Sequence, residues 1–279
     1  MVKQIVERTY LIPDANLTAH FLGNLIKGHF CAISAMKTVI FIPTYNEREN
    51  IGLLIEEILS STPWEHEDIH ILVVDDDSPD GTWEVVEKIS NENSHVHILR
   101  RINERGRGSA GVAGIHWAMN QGAEYLIEMD ADFSHQVKYI PDFLHIIPSY
   151  DVLLGSRFVA GGADLRDGVF RHLFTRLANI YIRVLLHIPI HDCTSGYRCF
   201  RLSVFRSIDL DGLASLDQTY VSEGYILLYL LFKKGASMGE IPIVFEDRRK
   251  GNSSLNYKVI LRGFFTILLF RLFKSRKFI

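Results

Sequence analysis

The sequence predicts an α/β protein with a mostly parallel sheet and helices on both of its faces. Two observations carry this: strand-like and helix-like segments alternate from Lys37 onward, and the strand-like runs are nearly continuous in apolar residues, as strands covered on both sides are. Thr38-Val39-Ile40-Phe41-Ile42 is the first strand and ends at Pro43. Glu47 to Leu59 reads as a helix with Ile51, Leu54, Ile55 and Ile58 on one face. Ile69 to Val74 is the second strand, broken at Asp75-Asp76-Asp77-Ser78-Pro79-Asp80-Gly81-Thr82, a turn that also signals a helix start. A short strand, Val96 to Leu99, precedes a glycine-spaced segment and a helix near Ala110 to Met119. Tyr125-Leu126-Ile127 leads a strand to Asp130; a helix near Tyr139 to Ile147 and a strand at Val152-Leu153-Leu154 follow, the latter running into Gly155-Ser156-Arg157-Phe158.

At 279 residues the chain can build one large α/β domain or two small ones. No linker or tandem repeat interrupts it, so the expectation is one domain over 36–255 with an appendage at 256–279. Residues 1–35 have mixed polarity and no sustained period, and they lack the ordered regions of a signal peptide. Met36 is an alternative initiator, which would make 1–35 an upstream misreading or a mobile extension. A formal charge of −3 gives no global basic field of the kind that binds nucleic acid. Three cysteines are too few for a disulfide framework and point to a reducing compartment. His187, His191, Cys193 and Cys199 lack a zinc-site spacing and read as ordinary thiols and histidines. No apolar run reaches the ~20 residues of a spanning helix.

Three polar turns, Pro43-Thr44-Tyr45-Asn46-Glu47, Asp75 to Thr82 and Asp130 to Asp132, fall at the C-terminal ends of strands, and right-handed crossovers gather such ends on one rim where ligands bind. Asp130 and Asp132 are two residues apart and share a face if the strand continues. Their oxygens suit Mg²⁺ or Mn²⁺ that takes further ligands from phosphates and water; a solvated acidic turn is the alternative reading. Gly106-Arg107-Gly108-Ser109-Ala110-Gly111 mimics a dinucleotide fingerprint without its first-strand position.

These turns, together with Gly155-Ser156-Arg157-Phe158, Asp192-Cys193-Thr194-Ser195-Gly196-Tyr197-Arg198 and Gly239 to Arg248, resemble family 2 glycosyltransferases of the GT-A fold, and more narrowly the dolichyl- or polyprenyl-phosphate mannosyltransferases. The likeness runs from about Lys37 to Leu255. It implies that Pro43, Tyr45 and Glu47 hold the base and ribose, with Val74 and Asp76 beneath the base. It further implies that Asp130 and Ala131 line the nucleotide, and that Asp132, with Asp130, carries the divalent metal. Arg157 and Arg248 would bind phosphates, and Arg171 and Thr175 the lipid phosphate. The implied activity is inverting transfer of mannose from GDP-mannose to a dolichyl or polyprenyl phosphate, with Asp132, Arg157 and Arg171 stabilising charge and no essential base. The implied setting is peripheral, on the cytoplasmic face of the plasma membrane in a prokaryote or of the endoplasmic reticulum in a eukaryote, with a membrane-anchoring partner subunit as an option.

Departures from the family pattern are Ser134 for a metal-ligating glutamine, Asp77 for glycine, Leu228 and Leu230 for glutamine and glutamate, and Ser254 for lysine. Leu228, Leu230 and Ser254 keep open a catalytically weak partner subunit, and the sequence separates GDP-mannose poorly from another donor such as UDP-glucose. The apolar stretch Tyr257 to Phe273, ending in Lys274-Ser275-Arg276-Lys277, suits a helix at a membrane interface or one packed on the domain's own core.

Overall fold

A computed structural model describes residues 37–61, 68–214, 220–247, 265 and 267–274 of the chain. The alternation read from the sequence is present. β1 (Thr38–Thr44), α1 (Arg48–Ser61), β2 (Ile69–Asp75), α2 (Thr82–Glu92), β3 (Val96–Arg100), α3 (Arg107–Asn120), β4 (Tyr125–Glu128), α4 (Ile140–Ile146) and β5 (Val152–Ser156) follow one another. Then come β6 (Ala163–Asp164), α5 (Val169–Leu186), β7 (Arg198–Arg201), α6 (Leu210–Ala214), α7 (Tyr220–Lys233), β8 (Met238–Pro242) and β9 (Val244–Phe245). The main sheet has the order β3-β2-β1-β4-β7-β5-β8. β1 runs parallel to β2 and β4, β2 to β3, and β5 to β8. β7 is antiparallel to both β4 and β5. β6 and β9 form a separate parallel pair.

Strand alternation splits the core in two. Val39, Phe41, Leu72, Val74 and Leu126 face one side, against α3, α5 and α7. Ile40, Ile42, Ile71, Val73 and Ile127 face the other, against α1, α2 and α4. In α1 the predicted stripe of Ile51, Leu54, Ile55 and Ile58 is fully buried. Each such side chain contributes about 1.5–3 kcal/mol when removed from water. α3 lies so close to β1 that a Cβ at Gly114 would meet the Phe41 ring at 2.7 Å. Leu228 and Leu230 on α7 are wholly inside the first core, so their departure from the family pattern is a gain of apolar packing.

Two details correct the sequence reading. The strand expected to reach Asp130 stops at Glu128, and Phe133 at φ 64° turns the chain, so the two aspartates sit on a turn and not on one strand face. β7 was not foreseen: Cys199 and Phe200 are buried, while Arg201 at its end pairs with Glu124 at 3.1 Å. Residues 1–35, Arg248, Lys250, Ser254 and Lys258 lie outside the described residues. Of the appendage at 256–279, residues 265 and 267–274 are described; Ile267 and Phe270 enter the core, while Phe265, Leu269 and Leu272 are exposed. No helix among the described residues is long and apolar enough to cross a membrane.

Candidate active site

Parallel register sets Pro43 beside Val74 and Thr44 beside Asp75, and brings Phe41 level with Glu128. Three strand ends therefore meet on one rim. Asp75 is fully buried and accepts hydrogen bonds from the Thr44 hydroxyl (2.8 Å), the Ser78 amide (2.8 Å) and the Ser78 hydroxyl (2.6 Å). The Asn46 amide donates to Ser78 Oγ and the Glu47 amide to Thr82 Oγ1, which fastens the turn after β1 to the turn after β2. Asp77 adopts φ 53°, a left-handed setting that aspartate tolerates better than most residues, so its replacement of glycine is absorbed. Tyr45 is exposed, with the Arg105 guanidinium 4.6 Å from its ring centroid. Asp76 is buried, and its carboxylate takes hydrogen bonds from Arg101 Nε (2.7 Å) and the Gly106 amide (2.9 Å). That ties the segment before α3 to the rim.

Beyond β4, Asp130 forms an ion pair with Arg107, which also reaches Glu128 at 3.3 Å. Buried Asp132 accepts from the Ser134 hydroxyl at 2.6 Å and the Ser134 amide at 3.1 Å. The hydroxyl that stands in place of a glutamine therefore orients the aspartate. The Asp130 amide donates to His135 Nδ1 at 2.9 Å, which assigns the ring proton to Nε2. Burial holds the His135 pKa below 6.5 against the pull of Asp130 and Asp132, so the imidazole is neutral. It stacks on Tyr197 and meets Phe245 edge-on, with centroids 4.9 and 5.4 Å apart. Gly196 closes the floor: a Cβ there would lie 3.0 Å from Arg107, 3.2 Å from His135 and 3.6 Å from Asp130 Oδ2.

Phe245 joins this half to a second one, because the guanidinium groups of Arg157 and Arg166 lie 5.1 and 5.0 Å from its ring. Arg157 points inward. Its Nε and one terminal nitrogen donate to Asp192 at 2.7 Å each, and it reaches Thr194 Oγ1 at 2.5 Å. Burial raises the Asp192 carboxyl, but the bonds and charge of Arg157 outweigh it and hold the pKa below 3.8. Arg171, in the first turn of α5, is exposed and donates to Asp247 at 2.9 Å. Thr175 lies one turn on, donating to the Arg171 carbonyl and accepting from Arg166 at 3.4 Å. Along the same helix Val169, Phe170, Leu173, Leu177, Ile180 and Val184 are exposed, Phe170 by 89%. This stripe recurs at helical spacing, so it was legible in the sequence, but the reading took only Arg171 and Thr175 from that helix. Leu177, Ile180 and Val184 also line a groove against Arg271 and Leu272 of the C-terminal helix.

The fold thus gathers Pro43, Tyr45, Glu47, Val74, Asp76, Asp130, Ala131 and Asp132 on one rim and links Arg157 to it through Phe245, while Arg171 and Thr175 attach to the second half through Asp247 and Arg166. Arg101, Arg107, His135, Asp192 and Asp247 fall in a basic cluster or in quoted motifs, but the sequence gives none of them an individual role; that role is chemical, since each partners a residue that has one. Cys193 and Cys199 are buried free thiols, and burial pushes Cys193 to about 12 and Cys199 higher still.

The glycosyl transferase family 2 model matches residues 39–209. The chain is 36% identical over 234 residues to the polyprenol monophosphomannose synthase of Mycolicibacterium smegmatis, covering 83% of this chain and 85% of that one. It is 33% identical to the undecaprenyl-phosphate mannosyltransferase of Micrococcus luteus, covering 81% of this chain and 90% of the relative. Among solved structures, mannosyl-3-phosphoglycerate synthase from Rubrobacter xylanophilus superposes with a TM-score of 0.59 at 18% identity, over 87% of this chain and 75% of that one. Glucosyl-3-phosphoglycerate synthase from Mycobacterium tuberculosis, solved with Mn²⁺, UDP-glucose and phosphoglyceric acid, gives 0.57 at 14% identity over 86% and 81%. Those two likenesses establish the fold, and the first two, with the family match, establish descent: this chain belongs to glycosyl transferase family 2.

Proposed function

We propose that this protein transfers mannose from GDP-mannose to a polyprenyl phosphate at the cytoplasmic surface of a membrane. The observation that carries this reading is the exposed apolar stripe of α5, which begins beside Arg171 and Thr175. A cation and a hydroxyl at the foot of an apolar helix face suit an acceptor with a phosphate head and a hydrocarbon tail, and that face would rest in the headgroup boundary. The relatives that match along most of the chain are named for mannosyl transfer to lipids of this kind.

On this reading Pro43, Tyr45, Glu47, Val74, Asp76, Asp130 and Ala131 seat the nucleotide, and Arg248 contributes to its phosphates. The hard oxygens of Asp132 and Asp130 fit Mg²⁺ or Mn²⁺, and a glycine at 196 keeps a side chain from crowding the Arg107 and His135 groups that flank Asp130. Such an ion, when bound, offsets the charge of the diphosphate leaving group. Arg107 balances Asp130 and Glu128, while Ser134 fixes the orientation of Asp132. Arg171 steers the lipid phosphate. Arg157 is a positioning residue: it holds the 192–194 segment in place.

The acceptor phosphate has a second pKa near ~6, so it is mostly dianionic at pH 7 and is itself the nucleophile. Its oxygen attacks the anomeric carbon as the bond from that carbon to the nucleotide diphosphate breaks, with inversion and no proton to remove. His135 is buried and its Nδ1 is engaged, so it is not needed as a base. The test is a radiolabelled transfer assay with polyprenyl phosphate, Mn²⁺ and either GDP-mannose or UDP-glucose. Product from GDP-mannose is expected, Asp132→Ala should abolish it, and Arg171→Ala should chiefly raise KM for the lipid. Product from UDP-glucose alone would overturn the donor assignment, and transfer to a free sugar hydroxyl in its place would overturn the acceptor.

A further inference from the structure

At the opposite end of the sheet from the rim, the parallel pairing of β2 with β3 sets His70 beside His95, since Ile71 is in register with Val96. Asp75 lies five residues along the strand from His70, about 16 Å at the rise of a β-strand, so nothing there belongs to the transfer site. Asp68, His70 and His95 each offer one ligand atom, and these atoms all lie within 4.8 Å of one another. We infer that Asp68, His70 and His95 form a second metal site, selective for a borderline transition-metal ion such as Zn²⁺.

The hydrogen bonds around the cluster are those a zinc site uses to fix its imidazoles. His95 Nδ1 lies 3.0 Å from the Ile69 carbonyl and so carries the proton there, leaving its lone pair on Nε2. His70 Nε2 lies 3.0 Å from Asp68 Oδ1, and His70 Nδ1 lies 2.9 Å from His97 Nε2. An ion on His70 Nε2 takes the place of a proton, and the Nδ1 proton is then donated to His97. Two ligands at about 2.0 Å in tetrahedral array stand about 3.3 Å apart, within a few tenths of the gap between His70 Nε2 and Asp68 Oδ1. The aromatic contact of His97 with Trp117, centroids 4.9 Å apart, braces this outer ring against α3. Two nitrogens and one oxygen, with water in the fourth place, suit Zn²⁺ or Co²⁺ and are poor for Mg²⁺. The ion would clip the start of β2 to the start of β3, an edge of the main sheet.

The test uses the full chain, freed of metal by chelation and held in excess Mg²⁺, titrated with Co²⁺ and then Zn²⁺. The expected result is one equivalent of Co²⁺ with visible absorption of tetrahedral strength, displaced by Zn²⁺, and a melting temperature that rises with Zn²⁺. His95→Ala and, separately, Asp68→Asn should weaken Zn²⁺ at least ten-fold and remove the thermal gain, while Asp132→Ala should keep both. Circular dichroism without metal confirms that each variant is folded; if His95→Ala is not, Asp68→Asn carries the test. Absence of the tetrahedral signal, or its survival in a folded His95 or Asp68 variant, overturns the site. Loss of the signal in Asp132→Ala would place the ion at the transfer site and overturn it equally.

Discussion

Replacing Arg157 with alanine separates two roles that one sequence motif allows. The Arg157 and Asp192 side chains are 5% and 0% exposed and are joined by two bonds of 2.7 Å, with the Arg157 amide adding a third at 3.0 Å to the same carboxylate. Alanine leaves the Asp192 carboxylate buried with its countercharge removed, and breaking a buried pair in this way costs about 3–5 kcal/mol. For a domain of this size each kcal/mol moves the melting temperature by about 2–4 °C, so a fall of roughly 6–20 °C is expected. Denaturant unfolding of the wild type, Arg157→Ala, Asp192→Asn and the double variant gives the coupling directly. The double variant should be less destabilised than the sum of the singles by about 2 kcal/mol or more. A melting temperature within two degrees of wild type, together with a raised KM for donor or lipid, would refute this: Arg157 would then be a phosphate ligand and not a strut.

The stripe on α5 predicts peripheral binding: sinking a ring as exposed as Phe170 into lipid gains about 2 kcal/mol, so Phe170→Ser should lower partition onto anionic vesicles by roughly 30-fold in a sedimentation assay. Unchanged partition would remove α5 from the interface. Asp192 and Asp164 are raised by burial, yet their pKa values are held below 3.8 by Arg157 and Arg166 respectively, so the folded state binds fewer protons than the unfolded state. That stability is complete above about pH 4 and is lost as pH falls through the folded pKa values; Asp192→Asn should flatten the acid limb of a melting-temperature profile. Cys193 and Cys199, with pKa values pushed up by burial, should resist alkylation at pH 8 until the protein unfolds, which peptide mass mapping can check.

The left half of the sheet and the helices over it were legible because their apolar residues recur at strand or helix period: Ile51, Leu54, Ile55 and Ile58 announce α1 unaided. β7 was not, because four residues with arginine at both ends carry no period, and it takes partners distant in sequence, Glu128 for Arg198 and Glu124 with Asp151 for Arg201, to make those arginines compatible with a central strand. The rim was legible as polar turns after apolar runs. What each polar group there touches was not legible. Motif spacing gives Arg157 a charge but says nothing of Asp192, thirty-five positions on, which consumes that charge. The histidines at 70, 95 and 97 likewise mean nothing until β2 and β3 pair.

The central place of β7 has a consequence for how the chain is made. β3, β2, β1 and β4 are complete once Glu128 has emerged from the ribosome, but the strand that covers the far edge of β4 is not. At 5–20 residues per second, the roughly 70 residues still to come leave that edge open for about 4–15 seconds. β5 emerges in the interval and must not take the vacant position, although it too is a short apolar strand. During synthesis β4 is thus a bare ladder edge of the kind that recruits other chains, and its four-residue length is what limits the hazard.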